Sequence, residues 1–107
     1  MKPTILLVEV ASDDRENQRA FLESQGYEVL IAESEEAAEQ LCVRLQPDLV
    51  LLHDHHPRLA GADLCRRMKQ DPLNKLTPIV LISSSPTPAE ALRAREAGAA
   101  DYWETPC

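Results

Sequence analysis

Three unbroken apolar runs of four residues, Ile5-Leu6-Leu7-Val8, Leu49-Val50-Leu51-Leu52 and Ile79-Val80-Leu81-Ile82, recur along the chain. A strand with one wet face alternates apolar and polar positions. Short continuous runs instead describe strands covered on both faces, the habit of a parallel sheet flanked by helices. A weaker run, Glu28-Val29-Leu30-Ile31-Ala32, lies between the first two, and Ala100-Asp101-Tyr102-Trp103-Glu104 follows the last. Helix signals fill the gaps. Asp13 with Glu16 has capping-box spacing and Gly26 supplies a stop, which predicts a helix over 14–25. Ser34 caps a helix over 35–45, where Ala37, Ala38, Leu41, Cys42 and Leu45 make one stripe ended before Pro47. Residues 63–70 carry Leu64, Cys65 and Met68 at helical spacing. Thr87-Pro88-Ala89-Glu90 combines a cap, a proline at the first helical position and an acid at the third, and that helix stops at Gly98. The order β-α-β-α-β-α-β-α-β with short connections predicts an α/β fold, a doubly wound parallel sheet with right-handed crossovers.

The 107 residues suit one domain, with room for a single apolar core and no need of disulfides or a structural metal. Eighteen acidic against 11 basic residues leave a net charge of −7 and a pI near 4.8. That sign argues against a nucleic-acid binder, whose affinity is built from basic charge. No apolar run approaches the roughly 18 residues of a membrane span, and the start of the chain lacks a signal-peptide core. Cys42, Cys65 and Cys107 are odd in number and widely spaced, which points to reduced thiols and a cytoplasmic location.

Several segments together carry a resemblance. Ile5-Leu6-Leu7-Val8, Gly26-Tyr27-Glu28-Val29, Pro47-Asp48-Leu49-Val50-Leu51-Leu52, Leu64-Cys65-Arg66-Arg67, Pro78-Ile79-Val80-Leu81-Ile82 and Glu96-Ala97-Gly98-Ala99-Ala100-Asp101-Tyr102 stand in this order. In order and spacing the chain resembles bacterial response-regulator receiver domains of the chemotaxis-regulator type, over essentially its whole length. The resemblance implies a five-stranded flavodoxin-like sheet of order 2-1-3-4-5, with any site at the carboxyl ends of the strands. It also implies a non-enzymatic signalling module of two-component systems and phosphorelays. In such a module a kinase histidine passes a phosphoryl group to an aspartate ending the third strand. Mg²⁺ held by an acidic pair after strand one and a lysine ending strand five assist, and a Ser or Thr on strand four and an aromatic on strand five relay the change.

The chain departs from that pattern at most of its chemical positions. The acidic pair is Glu9-Val10, the nucleophile position four residues before Pro57 holds His53, and Thr105 precedes Pro106 where the lysine belongs. Ser83 and Tyr102 keep the two relay positions. The expectation is a degenerate receiver, a pseudo-receiver that signals by protein–protein contact with no aspartyl phosphate and no Mg²⁺. Two alternatives attach to the same crevice. Asp54 is a candidate phosphoacceptor, although a one-residue slip along a strand turns its side chain to the opposite face. Glu9, His53 and either His55 or His56 offer a transition-metal set, since imidazoles suit Zn²⁺, Ni²⁺ or Cu²⁺. A metal- or ligand-sensing module using Glu9, His53 and Ser83 is the second functional reading. A pH-sensitive ion pair of His53 with Glu9 is a further one.

Arg66, Arg67 and Lys69 read as a solvated basic face. Strand alternation sends one of Tyr102 and Trp103 inward and the other outward, a candidate contact point. Receiver domains continue past the proline matched by Pro106 into a fifth helix. The chain over 1–107 is therefore expected to be a C-terminally truncated domain or part of a longer protein. The first helix carries Asn17 and Gln18 where the family often has leucines. One sheet face near strands one and five is thus expected to be partly bare, and to meet a signalling partner, an attached output domain or a second copy.

Overall fold

A computed structural model of the chain describes residues 2–9, 13–53, 61–83 and 87–104. The elements are β1 (Thr4–Val8), α1 (Asp13–Ser24), β2 (Glu28–Ala32), α2 (Glu35–Leu45), β3 (Leu49–His53), α3 (Gly61–Gln70), a 3-10 turn (Pro72–Asn74), β4 (Ile79–Ser83), α4 (Pro88–Glu96) and β5 (Asp101–Glu104). All five strands are parallel, in the order β2-β1-β3-β4-β5. The predicted sheet, its order and the four helices are borne out, with α1 and α3 starting one and two residues earlier than expected. The 3-10 turn is the element that apolar periodicity does not reveal.

The helix ends follow local chemistry. Ser34 accepts a hydrogen bond from the Ala37 amide at 3.1 Å, and Thr87 accepts one from Glu90 at 3.2 Å with Pro88 at the first helical position. The side chain of Asp13, the expected cap of α1, lies outside the described residues. Helix α2 ends on Gln46 in the left-handed region at φ 45°, its amide bonded to Cys42 O, because Pro47 cannot continue the helix.

Alternate residues of each strand enter different layers. Leu6, Val8, Ala32, Val50, Leu52, Ile79 and Leu81 meet Ala38 and Cys42 of α2, Leu64, Cys65 and Met68 of α3, and Ala94 and Ala97 at the end of α4. Ile5, Leu7, Leu51, Val80 and Ile82 meet Leu22 of α1 on the other side. Unbroken apolar runs are needed because both parities are buried. The face expected to be partly bare is closed at its centre, where Ile5, Leu7, Leu51, Val80 and Ile82 keep 0–7 % exposure. Around them Val29, Ile31 and Leu49 are half-buried, and Phe21 is 62 % and Trp103 46 % exposed. Tyr102 turns toward the α2–α4 layer and Trp103 away from it, as alternation requires.

Candidate functional site

Following the odd-numbered row of β1 past Leu7 leads to Glu9, whose amide still extends the ladder by bonding Ala32 O at 3.0 Å. The corresponding row of β3, Leu49 and Leu51, ends on His53. Both polar side chains therefore close apolar rows at the carboxyl ends of neighbouring strands, on the α1 side of the sheet. Both are buried, with side-chain exposures of 2 % for Glu9 and 6 % for His53. His53 Nε2 lies 3.5 Å from Glu9 Oε2, an electrostatic distance too long for a good hydrogen bond. The same nitrogen lies 2.8 Å from Gln18 Oε1. An amide oxygen only accepts, so Nε2 carries the hydrogen and donates it to Gln18.

Gln18 is the site residue that sequence reasoning missed. The expectation treated it as a lost apolar contact; the structure places it half-buried against the buried imidazole. A signal was present. Leu22 packs on the sheet, and a residue four positions earlier on a helix faces the same way. A polar amide aimed at the sheet end needs a polar partner, and His53 is one. The first turn of α1 is held as well: Arg15 Nη1 lies 2.9 Å from Glu33 Oε2, just beyond the end of β2. Helix α1 is thus tied to β3 through Gln18 and to the end of β2 through Arg15.

Of the remaining predicted positions, Ser83 is buried at the end of β4, one residue beyond the Ile82 that pairs with His53. Tyr102 donates from its hydroxyl to Glu90 Oε2 at 3.1 Å, joining β5 to the first turn of α4. Next to it, Asp101 accepts from Trp103 Nε1 and from the Tyr102 amide, both at 2.8 Å. These bonds, the indole first, hold the Asp101 carboxyl below its ordinary range. Val10, Asp54, His55, His56 and Thr105 lie outside the described residues, so the structure pairs only Glu9 and His53 of the proposed metal set. Among the described residues no group of three His, Cys, Asp or Glu side chains converges.

Among the described residues, the buried pair is a poor match for the Mg²⁺ that the resemblance implies. That ion takes near-octahedral oxygen ligands, whereas the buried pair offers one carboxylate beside an imidazole N–H already given to an amide. Arg66 and Arg67 are exposed, as a solvated basic face requires, and they carry surface ion pairs. Arg67 reaches Glu35 at 2.6 Å and Glu39 at 2.7 Å across from α3 to α2, and Arg66 pairs with Asp63. Lys69 directs its ammonium at the carbonyls of Asn74, Lys75 and Thr77. Cys42 and Cys65 are buried free thiols. No helix among the described residues is long and apolar enough to cross a membrane.

Known proteins similar to this chain agree on its class. Over 103 residues the chain is 36 % identical to the phosphate regulon transcriptional regulatory protein PhoB of Pseudomonas aeruginosa, covering 96 % of this chain and 45 % of that protein. It is 38 % identical over 96 residues to the sensor histidine kinase AruS of the same organism, covering 88 % of this chain and 10 % of that one. The chain thus spans about half, or far less, of the relatives it matches. The chemotaxis protein CheY4 of Vibrio cholerae superposes with a TM-score of 0.92 at 20 % identity, covering all of this chain and 89 % of that one, a likeness of fold. The family model for the response regulator receiver domain matches residues 5–107. With sheet order and sequence in agreement, the chain belongs to the response regulator receiver domain family.

Proposed function

We propose that this receiver domain is a degenerate one, passing its signal by protein–protein contact with no aspartyl phosphate. The observation that carries the reading is His53, which is buried at the end of β3, donates to Gln18 and stands 3.5 Å from Glu9. Forming an aspartyl phosphate needs a carboxylate nucleophile and a divalent cation to offset charge on the transferred group. An imidazole held at that strand end supplies neither. The Gln18–His53–Glu9 cluster fastens α1 to the sheet instead, so the crevice presents one packed surface. The conformation seen by a signalling partner or an attached output domain is then set by contacts. The two buried thiols suit the reducing cytoplasm as its place of action.

Incubation with a small-molecule phosphodonor and Mg²⁺, followed by intact-mass and peptide mass spectrometry, tests this. The expected outcome is an unmodified chain. His53→Asp alone is expected to restore only weak labelling, because groups that act as a unit fail together. Stoichiometric phosphate on Asp54 in the natural chain overturns the reading.

A further inference from the structure

Strand β2 is one of the two edges of the sheet. Successive residues of a strand send their backbone polar groups to opposite sides. Glu28 gives its amide to Pro3 O at 2.9 Å, and Ala32 O receives the Glu9 amide at 3.0 Å. The even-numbered residues of β2 therefore face β1. Val29 and Ile31 direct their N–H and C=O groups outward, where no strand pairs with them among the described residues. The edge is already straight and ordered, because β1 aligns all five residues from Glu28 to Ala32 and α1 and α2 both pack on β2. Little further freedom is lost when such an edge binds, and this favours recognition. Val29, Leu30 and Ile31 are half-buried, whereas their β1 partners Ile5, Leu6 and Leu7 keep 0–3 % exposure. An added strand would cover the remaining apolar surface on both faces.

Charge decides which strand the edge accepts. Residues 23–36 carry five acids, Glu23, Glu28, Glu33, Glu35 and Glu36, and no Lys or Arg. Arg15 reaches Glu33 and Arg67 reaches Glu35, so part of that charge is met within the domain. Glu28 stands exposed at the start of β2, and Glu33, still 61 % exposed, stands just past its end. A second copy is a poor occupant. Antiparallel pairing of two β2 strands would set Glu28 of each beside Glu33 of the other, and like charges across a ladder repel. Five residues of strand separate the two acids by about 17 Å, so a segment with basic residues five apart matches both.

We propose that the outer edge of β2 receives an extended basic segment of a partner protein as an added strand. The backbone of that segment bonds Val29 and Ile31, and its Lys or Arg residues meet Glu28 and Glu33. Main-chain hydrogen bonds give this mode of recognition its affinity, and the acids at the two ends give it selectivity. The proposal does not depend on whether the His53 crevice takes phosphate, so phosphodonor labelling and the test of this edge fail separately.

Amide hydrogen exchange of the whole chain, read by NMR, is the test, with the end-capped peptide Lys-Val-Thr-Val-Thr-Lys as probe. In the free domain the Val29 and Ile31 amides are expected to exchange at least about tenfold faster than those of Leu30 and Ala32, which face β1. At about 5 mM the peptide slows Val29 and Ile31 at least about threefold, corresponding to a Kd of about 2 mM or tighter. The same peptide with Glu in place of both Lys leaves them unchanged. Glu28→Lys, at an exposed position, keeps the fold and weakens binding at least about threefold. No protection of Val29 and Ile31, equal protection by the acidic peptide, or undiminished binding to Glu28→Lys overturns the proposal. Protection that rises with domain concentration in the absence of peptide also overturns it, and makes a second copy the occupant.

Discussion

The two layers beside the sheet are made from alternate residues of the same strands and yet have different characters. Under α2, α3 and α4 the helices fill the layer with apolar or thiol side chains, with Ala38, Cys42, Leu64, Cys65, Met68 and Ala94 all at 0–1 % exposure. Under α1 the layer rests on fewer residues, with Leu22 as its helical apolar contact, and it ends at the strand tips in the buried polar set Glu9, His53 and Gln18. One layer supplies most of the burial and the other holds the chemistry. The lesson lies in the rows. An apolar row that runs through to the strand end makes core, and a row that ends in a polar residue makes a site, because that residue needs a partner from the helix above it. In this chain the partner is an amide on α1, so the site binds its own helix.

The sharpest break of that contrast is truncation on each side. Leu64→Ala, in the dry layer, is expected to cost about 3–5 kcal/mol, whereas Leu22→Ala, half-buried on α1, costs about 1–2 kcal/mol. Urea unfolding of both variants measures it, and equal losses would mean that the two layers share the load.

The thiols sharpen the same contrast through pH. Burial pushes Cys42 up from 9.0 to about 11, with nearby Asp71 adding to the rise. It pushes Cys65 up to about 11 also, against the opposing charges of Lys69 and Arg66. A folded-state value above the unfolded one favours the folded state below the unfolded value and loses that advantage as pH rises toward the folded value. The window is pH 9 to 11, and the loss reaches about 2–3 kcal/mol for each thiol. Denaturation series at pH 8.5 and 10.5 are expected to differ by most of that sum. The difference shrinks in Cys42→Ala and again in the double variant with Cys65→Ala.

A smaller effect belongs to the α1 side. Gln18→Leu leaves the His53 N–H without its acceptor at a buried position and is expected to cost about 1–3 kcal/mol. A double-mutant cycle with His53→Leu is expected to show coupling, since each single substitution breaks the same Gln18–His53 bond. A double-mutant cycle showing no coupling would separate the two residues and undo the account of α1 as a helix tied to β3.

Much of this architecture is set by local pattern. Unbroken runs such as Leu49–Leu52 announce strands buried on both sides, Ser34 and Thr87 announce helix starts, and the β-α alternation announces a doubly wound parallel sheet whose strand order the resemblance to receiver domains implies. The departures at positions 10, 53 and 105 are equally visible in the residues themselves. Other features depend on where folding brings distant side chains. Gln18 is 35 residues from His53, and only the packing of α1 over the end of β3 turns an unpromising polar residue into a hydrogen-bond partner. Lys69 looks like any surface lysine until the 3-10 turn, which no apolar period marks, aims three carbonyls at its ammonium. The α1 layer closes at its centre, where Ile5, Leu7, Leu51, Val80 and Ile82 keep 0–7 % exposure, because sealing depends on how a helix lies across the rows beneath it. Propensity and periodicity act over a few neighbouring residues and are written in the sequence. The satisfaction of buried polar groups is a property of contacts across the chain, and the tertiary structure decides it.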